Sequence, residues 1–208
     1  MKFNKSTVKI IGIIALVCCV GFSISKIIAS SKGSQAMQTT HAPQSTVGIT
    51  PGKVYEIIEV SEASEGRITN FFFNDDNGNR RSLMDITNEK FTFLNFWGTW
   101  CPPCRAEIPA IIELQRELEA DGLIVIGVAL ERVSNPMQVV SDYARNREIN
   151  YINFIASTEL TGKLTATYGG IKYVPTTLLI NQSGEIFDRI QGARSKEQFK
   201  SALDRLMR

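Results

Sequence analysis

The sequence predicts an α/β fold in which a mixed sheet is flanked by helices. Two runs, Phe91–Trp100 and Leu123–Leu130, are continuously apolar, which is typical of strands buried on both faces. Between them lies the segment Arg105–Gly122, in which apolar residues recur at near-helical spacing with charged residues in between. This pattern predicts a helix that ends at Gly122. A buried strand, an amphipathic helix and a second buried strand in this order indicate a sheet covered by helices.

The other elements follow in chain order. Strands are expected at Val54–Ser61 and Arg67–Phe73, and the turn Asn74–Asn79 leaves room for a further strand. Asn135 is a candidate cap for a helix that runs from Pro136 to about Glu148. The remaining predicted elements are a strand at Ile152–Ala156, a helix at Thr161–Tyr168, a hairpin of Thr176–Ile180 and Glu185–Ile190, and a last helix that begins with a Ser195–Gln198 capping box and runs to about Met207.

Residues 1–30 predict a membrane-spanning signal-anchor. An apolar run begins at Ile10 and, with Lys26 snorkelling outward, extends to Ile28. That is about 20 residues, roughly the thickness of a bilayer as a helix. The leading flank is the more basic one, with Lys2, Lys5 and Lys9. The positive-inside rule then leaves the N-terminus in the cytoplasm and places the rest outside the cytoplasmic membrane, in the periplasm or extracytoplasmic space.

Two alternatives to an uncleaved anchor stay open. Ser34-Gln35-Ala36 fits the small-residue pattern of a signal-peptide cleavage site, although it lies far beyond the apolar run. A lipidated Cys18 or Cys19 is the second alternative, although the residue before either cysteine is not small. All three interpretations export the body of the chain.

The charge distribution separates the N-terminal region from the body. Residues 31–52 are polar and rich in Ser, Thr, Gln, Gly and Pro, which predicts a flexible linker. Residues 53–208, the predicted folded domain, carry 18 basic and 21 acidic residues, a net charge of −3. Nothing in this domain resembles the basic face of a nucleic-acid-binding protein.

The exported part contains two cysteines, in the segment WCPPC. Cys101 lies where a buried strand ends and a helix begins, so free amides and the helix dipole are expected to lower its thiol pKa. Cys104 lies three residues later on the same helix face and can close a disulfide with Cys101. Trp100 is expected to cover the pair with an apolar surface. Pro102 and Pro103 occupy the first turn, where helices tolerate proline.

Redox chemistry is favoured over two other interpretations of this pair. A structural zinc site needs four ligands, and the sequence has no second CxxC or histidine pair. A structural disulfide that closes so short a loop adds little stability and tends to be reducible. No metal, nucleotide or flavin cofactor is implied, because no glycine-rich phosphate loop is present.

The segment FLNFWGTWCPPCRAEIP resembles the active-site segment of thioredoxin-like thiol–disulfide oxidoreductases. It is most similar to the membrane-tethered branch that serves cytochrome c maturation, the TlpA, ResA and DsbE types. The resemblance covers roughly residues 55–208. It implies a thioredoxin-like fold with an N-terminal β-strand extension and a helix–strand insertion at residues 131–157.

Two further matches carry this resemblance. Pro109 lies where thioredoxins kink the helix after the motif. YVPTTLLINQSGEI, Tyr173–Ile186, matches the cis-proline loop, strand and hairpin of the family. Pro175 is therefore expected to be cis beside Cys101, where the Val174 backbone can bind an extended substrate strand. The alternative is an ordinary trans proline before a strand.

One departure from thioredoxin concerns proton transfer. Thioredoxin has a buried aspartate on the strand before the motif, whereas this chain has Asn95, and an amide cannot accept the proton of the resolving thiol. Glu107 matches a glutamate of the cytochrome-c-maturation branch and is expected to assist proton transfer at Cys104. The alternative is a surface glutamate in the first helical turn. Trp97 is assigned to the core.

The resemblance implies a reductase. The Cys101 thiolate would attack a disulfide in an exported partner, apocytochrome c or a similar protein, and Cys104 would release the reduced partner. A membrane electron donor of the DsbD/CcdA type would regenerate the dithiol. Three alternatives stay open: a DsbA-like oxidase or isomerase, a thiol peroxidase, which would want threonine at the position of Gly98, and a non-catalytic tethered binding module.

Overall fold

The computed structural model describes residues 48–208, so the predicted anchor at residues 1–30 and most of the predicted linker lie outside the described residues. Within that range there are eight strands and five helices. The strands are β1 (Val54–Val60), β2 (Phe71–Asn74), β3 (Arg80–Ser82), β4 (Phe91–Trp97), β5 (Leu123–Ala129), β6 (Ile152–Ala156), β7 (Thr176–Ile180) and β8 (Ile186–Gln191). The helices are α1 (Leu83–Thr87), α2 (Pro102–Leu118), α3 (Pro136–Asn146), α4 (Thr158–Thr167) and α5 (Lys196–Leu206). None of these five helices is long and apolar enough to span a bilayer.

The described strands form one sheet in the order β3-β2-β1-β6-β5-β4-β7-β8. Strands β1, β6, β5 and β4 are parallel to one another, while β7 runs antiparallel to β4, and β2, β3 and β8 are also antiparallel to their neighbours. The predicted mixed α/β sheet is therefore confirmed. Because parallel strands need helical crossovers, helices cover both faces and the central strands are buried on both sides.

Strand β4 shows why the apolar run is continuous. Phe93 and Trp97 pack into the hydrophobic cluster beneath α2 and α5, and Leu94 and Phe96 pack into the cluster on the opposite face. Every side chain of β4 after Phe91 is buried, including that of Asn95. Asn95 is thus carried into the core on the face that α2 covers.

Several predicted boundaries are wrong in detail. The second strand begins at Phe71, and Arg67 makes only an isolated bridge to Glu185. Helix α4 begins three residues before the predicted Thr161, at Thr158, because the Ser157 hydroxyl accepts from the Leu160 amide and caps it there. Helix α3 begins at Pro136 as predicted, with Asn135 at its N-cap position, but the Asn135 side chain makes no capping hydrogen bond.

Other local predictions are confirmed. The predicted strands Ile152–Ala156 and Thr176–Ile180 have the observed bounds. The Ser195–Gln198 capping box is present at the start of α5. Helix α1 was not predicted, because five residues are too few to show helical periodicity.

Residues 48–52, which the sequence analysis assigns to the linker, contact the domain. The Gly48 carbonyl accepts a hydrogen bond from the Asp76 amide at 2.7 Å, and the Gly52 amide donates to the Tyr151 carbonyl at 3.2 Å. The Ile49 side chain is buried. The folded part of the chain therefore already includes Gly48. These contacts have no local sequence pattern, because their partners lie far along the chain.

A buried polar contact ties the three central parallel strands together. Trp97 on β4 donates from Nε1 to Oδ1 of Asn153 on β6 at 3.1 Å, across Gly127 of β5. A Cβ atom at position 127 would lie 2.1 Å from Asn153 Oδ1 and 2.9 Å from Trp97 Nε1. Glycine is therefore required there by the close approach of two side chains.

We expect Gly127→Ala to lower the free energy of unfolding by about 1–3 kcal/mol, because the added methyl group overpacks the core and displaces the Trp97–Asn153 hydrogen bond. Urea unfolding monitored by tryptophan fluorescence measures this change. Gly162→Ala is the control, since residue 162 lies exposed in α4 with open space around it, and we expect a gain of about 0.5–1 kcal/mol. Equal stability of Gly127→Ala and the wild type would contradict the packing argument.

Candidate active site

The dithiol lies at the junction between β4 and α2. Cys101 occupies the N-cap position of α2 with an extended backbone, and Cys104 lies within the first turn. The two residues are joined by a disulfide bond, with their Cα atoms 5.3 Å apart. Cys101 is 3% exposed and Cys104 is fully buried. The outer sulfur is therefore the one that a partner can approach.

A single amide points at the Cys101 sulfur. The Cys104 N–H donates to Cys101 Sγ at 3.2 Å. An N-cap group commonly accepts from the second or third amide of the helix. Here the first two helical residues are Pro102 and Pro103, which have no N–H to offer. The helix N-terminus therefore faces the sulfur with one local hydrogen-bond donor.

The loop before β7 lies against the dithiol. The Val174–Pro175 peptide bond is cis, as expected for Pro175. Cys101 Sγ lies 3.6 Å from the Val174 carbonyl oxygen. The loop is anchored behind by the Gly192 amide, which donates to the Pro175 carbonyl at 2.8 Å. The tertiary structure thus brings residues 101 and 174 together, although their roles in substrate binding stay a prediction.

Trp100 forms the exposed edge of the site. Its side chain is 45% exposed, its Nε1 donates to the Leu130 carbonyl at 2.9 Å, and the Arg132 guanidinium carbon lies 4.6 Å from its ring centroid. It lies beside the pair as an apolar surface rather than enclosing it. Arg132 holds one face of the indole in place.

The loop before Cys101 is held by Glu131, which no sequence motif marks. Glu131 accepts hydrogen bonds from the Thr99 amide at 2.6 Å and from the Thr99 hydroxyl at 3.0 Å. A signal for it was present, because Glu131 follows the end of β5. Parallel strands end at the same edge of a sheet, so residues after β5 lie next to the loop after β4.

Glu107 is buried beneath the dithiol, so the alternative of a surface glutamate is wrong. Its side chain lies one turn after Cys104 and is 2% exposed. Oε1 accepts a hydrogen bond from Asn95 Nδ2 at 3.0 Å. Burial raises the pKa of Glu107 to about 7, opposed by the Asn95 hydrogen bond and by the nearby Arg194. This carboxyl group therefore changes its protonation state near neutral pH.

Asn95 fixes the orientation of this carboxyl group. Its amide nitrogen donates both to Glu107 and to the Thr177 hydroxyl on β7, at 3.0 Å each. Within residues 48–208, Glu107 Oε2 makes no hydrogen bond of ordinary geometry, although the Arg194 backbone lies close enough to favour the carboxylate. Tyr151 belongs to the same buried cluster, where burial raises the pKa of its hydroxyl group and Glu107 raises it further.

Trp97, which was predicted to lie in the core, is where it was expected. Trp97 is fully buried and contributes to the core rather than to the dithiol surface. Between residues 48 and 208, no group of three or more His, Cys, Asp or Glu side chains is placed to hold a metal ion. The reactive groups of the described site are the two sulfurs and the carboxyl group one turn further along α2.

The fold and the dithiol beside a cis-proline loop define a thioredoxin-like thiol–disulfide oxidoreductase. The chain belongs to the AhpC/TSA family, whose model matches residues 65–189. It is 31% identical over 137 residues to "Thiol-disulfide oxidoreductase ResA" of Bacillus thuringiensis subsp. konkukian, which covers 66% of this chain and 75% of the relative. It is also 31% identical over 161 residues to "Thioredoxin-like protein YneN" of Bacillus subtilis, covering 76% of this chain and 91% of that protein.

Solved structures agree with this assignment. A thiol:disulfide interchange protein of the thioredoxin family from Chlorobium tepidum is 28% identical, with a TM-score of 0.58, and covers 71% of this chain and all of that one. StoA from Bacillus subtilis is 26% identical, with a TM-score of 0.53, and covers 65% of this chain and 97% of that one. This enzyme is therefore a thiol–disulfide oxidoreductase of the ResA and StoA type.

The Glu107 pKa has a consequence for stability. The folded protein binds this proton more tightly than the unfolded chain, in which the ordinary pKa is 4.5. The contribution of Glu107 to stability is therefore fully present below pH 4.5 and is lost as the pH rises through about 7. As the pH rises through this window, we expect Glu107→Gln to gain stability relative to the wild type. The gain is about 3 kcal/mol at most, because a difference of one pKa unit between the folded and unfolded states corresponds to about 1.36 kcal/mol.

Urea unfolding of the disulfide form on both sides of this window measures the difference. The control is Glu119→Gln, which makes the same side-chain change at an exposed position at the other end of α2. If the stabilities of Glu107→Gln and the wild type differed by the same amount at every pH, burial would not raise the pKa of Glu107.

Proposed function

We propose that this oxidoreductase reduces disulfide bonds of exported proteins while residues 1–30 hold it to the outer face of the cytoplasmic membrane. The apolar run from Ile10 to Ile28 and its basic leading flank support the tether and its orientation. Residues before Gly48 then act as the linker between the membrane and the catalytic domain. A single-pass protein of this kind works in the periplasm or extracytoplasmic space.

The proposed cycle begins with the reduced enzyme. The Cys101 thiolate attacks one sulfur of the partner's disulfide, a mixed disulfide forms, and the partner's other sulfur leaves as a thiolate that takes up a proton. Cys104 transfers its proton to Glu107 and attacks Cys101 Sγ. The partner's second sulfur leaves and is protonated in turn. The partner gains two electrons and two protons, and the enzyme ends with the Cys101–Cys104 disulfide.

Glu107 is suited to this proton transfer. Its pKa of about 7 is close to the ordinary value of a thiol, about 8.5, so the proton can pass between the two groups without a large barrier. An ordinary exposed glutamate would be a much weaker base. Since Glu107 lies one helical turn below Cys104, the transfer involves the buried, resolving sulfur rather than the nucleophile.

The single amide that donates to Cys101 Sγ is the observation that supports the proposed direction of electron flow. Amides at a helix N-terminus stabilise the thiolate and hence the reduced form, which makes a dithiol more oxidising. Because Pro102 and Pro103 have no N–H, only the Cys104 amide at 3.2 Å contributes locally. The reduced form is then stabilised less than in a strongly oxidising dithiol, which favours a reductant. A DsbA-like oxidase or isomerase is the alternative.

The proposed partners follow from this direction. The oxidised enzyme must be reduced again after each turnover, which a membrane electron donor of the DsbD/CcdA type would do for a tethered protein. Apocytochrome c, or a similar exported protein with a disulfide, is the proposed substrate. The relatives named thiol–disulfide oxidoreductases support the class of reaction, and the substrate comes from the resemblance to the cytochrome-c-maturation branch.

A peroxidase fits the geometry less well. That activity would want a threonine in place of Gly98, and a Cβ atom there would lie 2.7 Å from Trp100 Nε1. The indole, which donates to the Leu130 carbonyl, would have to move to admit it. The conformation of the loop before Cys101 therefore requires glycine at position 98.

We expect the reduction potential of the dithiol to lie closer to that of thioredoxin, about −270 mV, than to that of DsbA, about −120 mV, because one amide stabilises the thiolate. Equilibration of the full chain with glutathione buffers, followed by alkylation of free thiols, measures it. Under the same conditions Cys104→Ala cannot form the pair and provides the baseline. A potential near that of DsbA would contradict the reductase proposal.

We expect Glu107→Gln to slow the release of a partner from its mixed disulfide with Cys101 by about 100-fold at neutral pH, because the neutral amide accepts no proton from Cys104. Stopped-flow measurement across a range of pH should show an inflection near pH 7 in the wild type that the variant lacks. Glu119→Gln serves again as the matched control on α2. An unchanged inflection in Glu107→Gln would exclude Glu107 from the proton transfer.

A further inference from the structure

The segments around the dithiol differ in charge from the rest of the domain. Four segments meet at Cys101: residues 98–106, 130–135, 170–176 and 191–195. Together they carry four cationic side chains and one carboxylate, Glu131, whereas the whole of residues 53–208 has a net charge of −3. The surface that a partner meets first is therefore locally positive on a domain that is negative overall.

Three of these cations are exposed at the site, and we call Arg105, Arg132 and Lys172 the cationic rim. Arg105 follows Cys104, and its amide donates to the Cys101 carbonyl at 3.1 Å. Arg132 stacks on Trp100 at 4.6 Å. Lys172 lies two residues before Val174, whose carbonyl oxygen is 3.6 Å from Cys101 Sγ. Arg132 and Lys172 thus belong to the two loops that lie against Trp100 and Cys101, while Arg105 lies on α2 next to Cys104.

No carboxylate of the described residues neutralises the rim. The ion pairs found within residues 48–208 involve other cations, and none includes Arg105, Arg132 or Lys172. Among the nearby carboxylates, Glu131 has both oxygens hydrogen-bonded to Thr99, and Glu107 is buried. Glu113 and Glu148 line a surface pocket together with Arg105, but within residues 48–208 neither forms an ion pair with it. Three exposed charges of one sign therefore face solvent unpaired.

Exposed aromatic side chains lie in the same segments as these cations. Trp100 is 45% exposed and Tyr173 is 69% exposed, and the two aromatic side chains belong to segments on either side of Cys101. Exposed aromatic groups bordered by charged ones are the usual composition of a protein-binding surface, in which the aromatic residues supply affinity and the charges select the partner.

We infer that the cationic rim selects partners whose disulfide is flanked by carboxylate side chains, that is, an acidic peptide segment laid across Trp100 and Tyr173. This inference rests on the proposed function and adds the substrate class to it. Opposite charges would raise the rate of encounter, and the effect would weaken as salt screens it. Basic segments would be repelled by the same surface.

The experiment uses three cyclic disulfide peptides that are identical except for the residues next to the cysteines, which are glutamate, glutamine or lysine. The full chain is reduced with dithiothreitol and freed of it, and the second-order rate constant for reduction of each peptide is measured in a single turnover. We expect the glutamate peptide to react about tenfold faster than the lysine peptide at about 0.01 M ionic strength. The ratio should approach one at about 1 M, where the Debye length is near 3 Å.

Charge reversal tests which residues cause the preference. Arg132→Glu/Lys172→Glu is expected to invert the ratio of the glutamate and lysine rate constants; Arg105 is left unchanged because of its closeness to the sulfurs. The matched control is Lys90→Glu/Arg116→Glu, which makes the same change in net charge elsewhere. Arg116 lies 15 residues beyond Cys101 on α2, about 22 Å along the helix, and Lys90 precedes the far end of β4.

The outcomes separate this inference from the proposed function. A preference for the glutamate peptide that salt abolishes, that the rim variant inverts and that the control variant keeps supports the inference. Equal rates for the three peptides, or a preference that the rim variant leaves unchanged, overturns the inference and leaves the reductase proposal standing. If the reduced enzyme acts on none of the three, the proposed function is wrong and the inference with it.

Discussion

The whole site depends on one junction, where β4 ends and α2 begins with the Cys101 sulfur at its N-cap. The strand is buried on both faces, so it cannot shift, and the helix that follows is fixed against the same sheet. The Cys104 amide points at the sulfur because it belongs to the first turn of that helix. Two prolines remove the other local donors. The Cys101 sulfur is therefore held at the helix N-terminus by a single backbone hydrogen bond.

The same strand also positions the buried carboxyl group of Glu107. Asn95 lies on the face of β4 that α2 covers, and its amide holds the carboxyl group of Glu107 while also donating to Thr177. A carboxyl group in the core is unfavourable as an anion, which is why its pKa rises to about 7. Asn95 limits that rise by donating a hydrogen bond to it. The fold thus places a carboxyl group of near-neutral pKa in the core, one helical turn after Cys104.

Outside the buried centre, the site is assembled from loops that are remote in sequence. The cis-proline loop, the loop after β5 and the loop after β8 meet at the carboxyl end of β4 because β5 and β7 are its neighbours in the sheet. Glu131 fastens the loop before Cys101, and Arg132 braces Trp100. A rigid sheet edge thereby holds an exposed aromatic and cationic surface around a single accessible sulfur.

The sequence alone determined the class of fold and the dithiol, because both depend on local chemistry: continuous apolar runs and a CxxC at a strand–helix boundary. The cis state of Pro175 came from the resemblance to the thioredoxin-like family, since a proline before a strand is usually trans. It also identified Glu107, but not its state, since whether that carboxyl group faces water or the core depends on what packs over the helix. Helix α1 and the contacts of residues 48–52 were missed for want of any periodic signal. Only the tertiary structure decided the Glu107 pKa, the role of Glu131 and the meeting of the loops that carry Arg132 and Lys172 at the dithiol, because burial, hydrogen-bond partners and loop packing are set by residues distant along the chain.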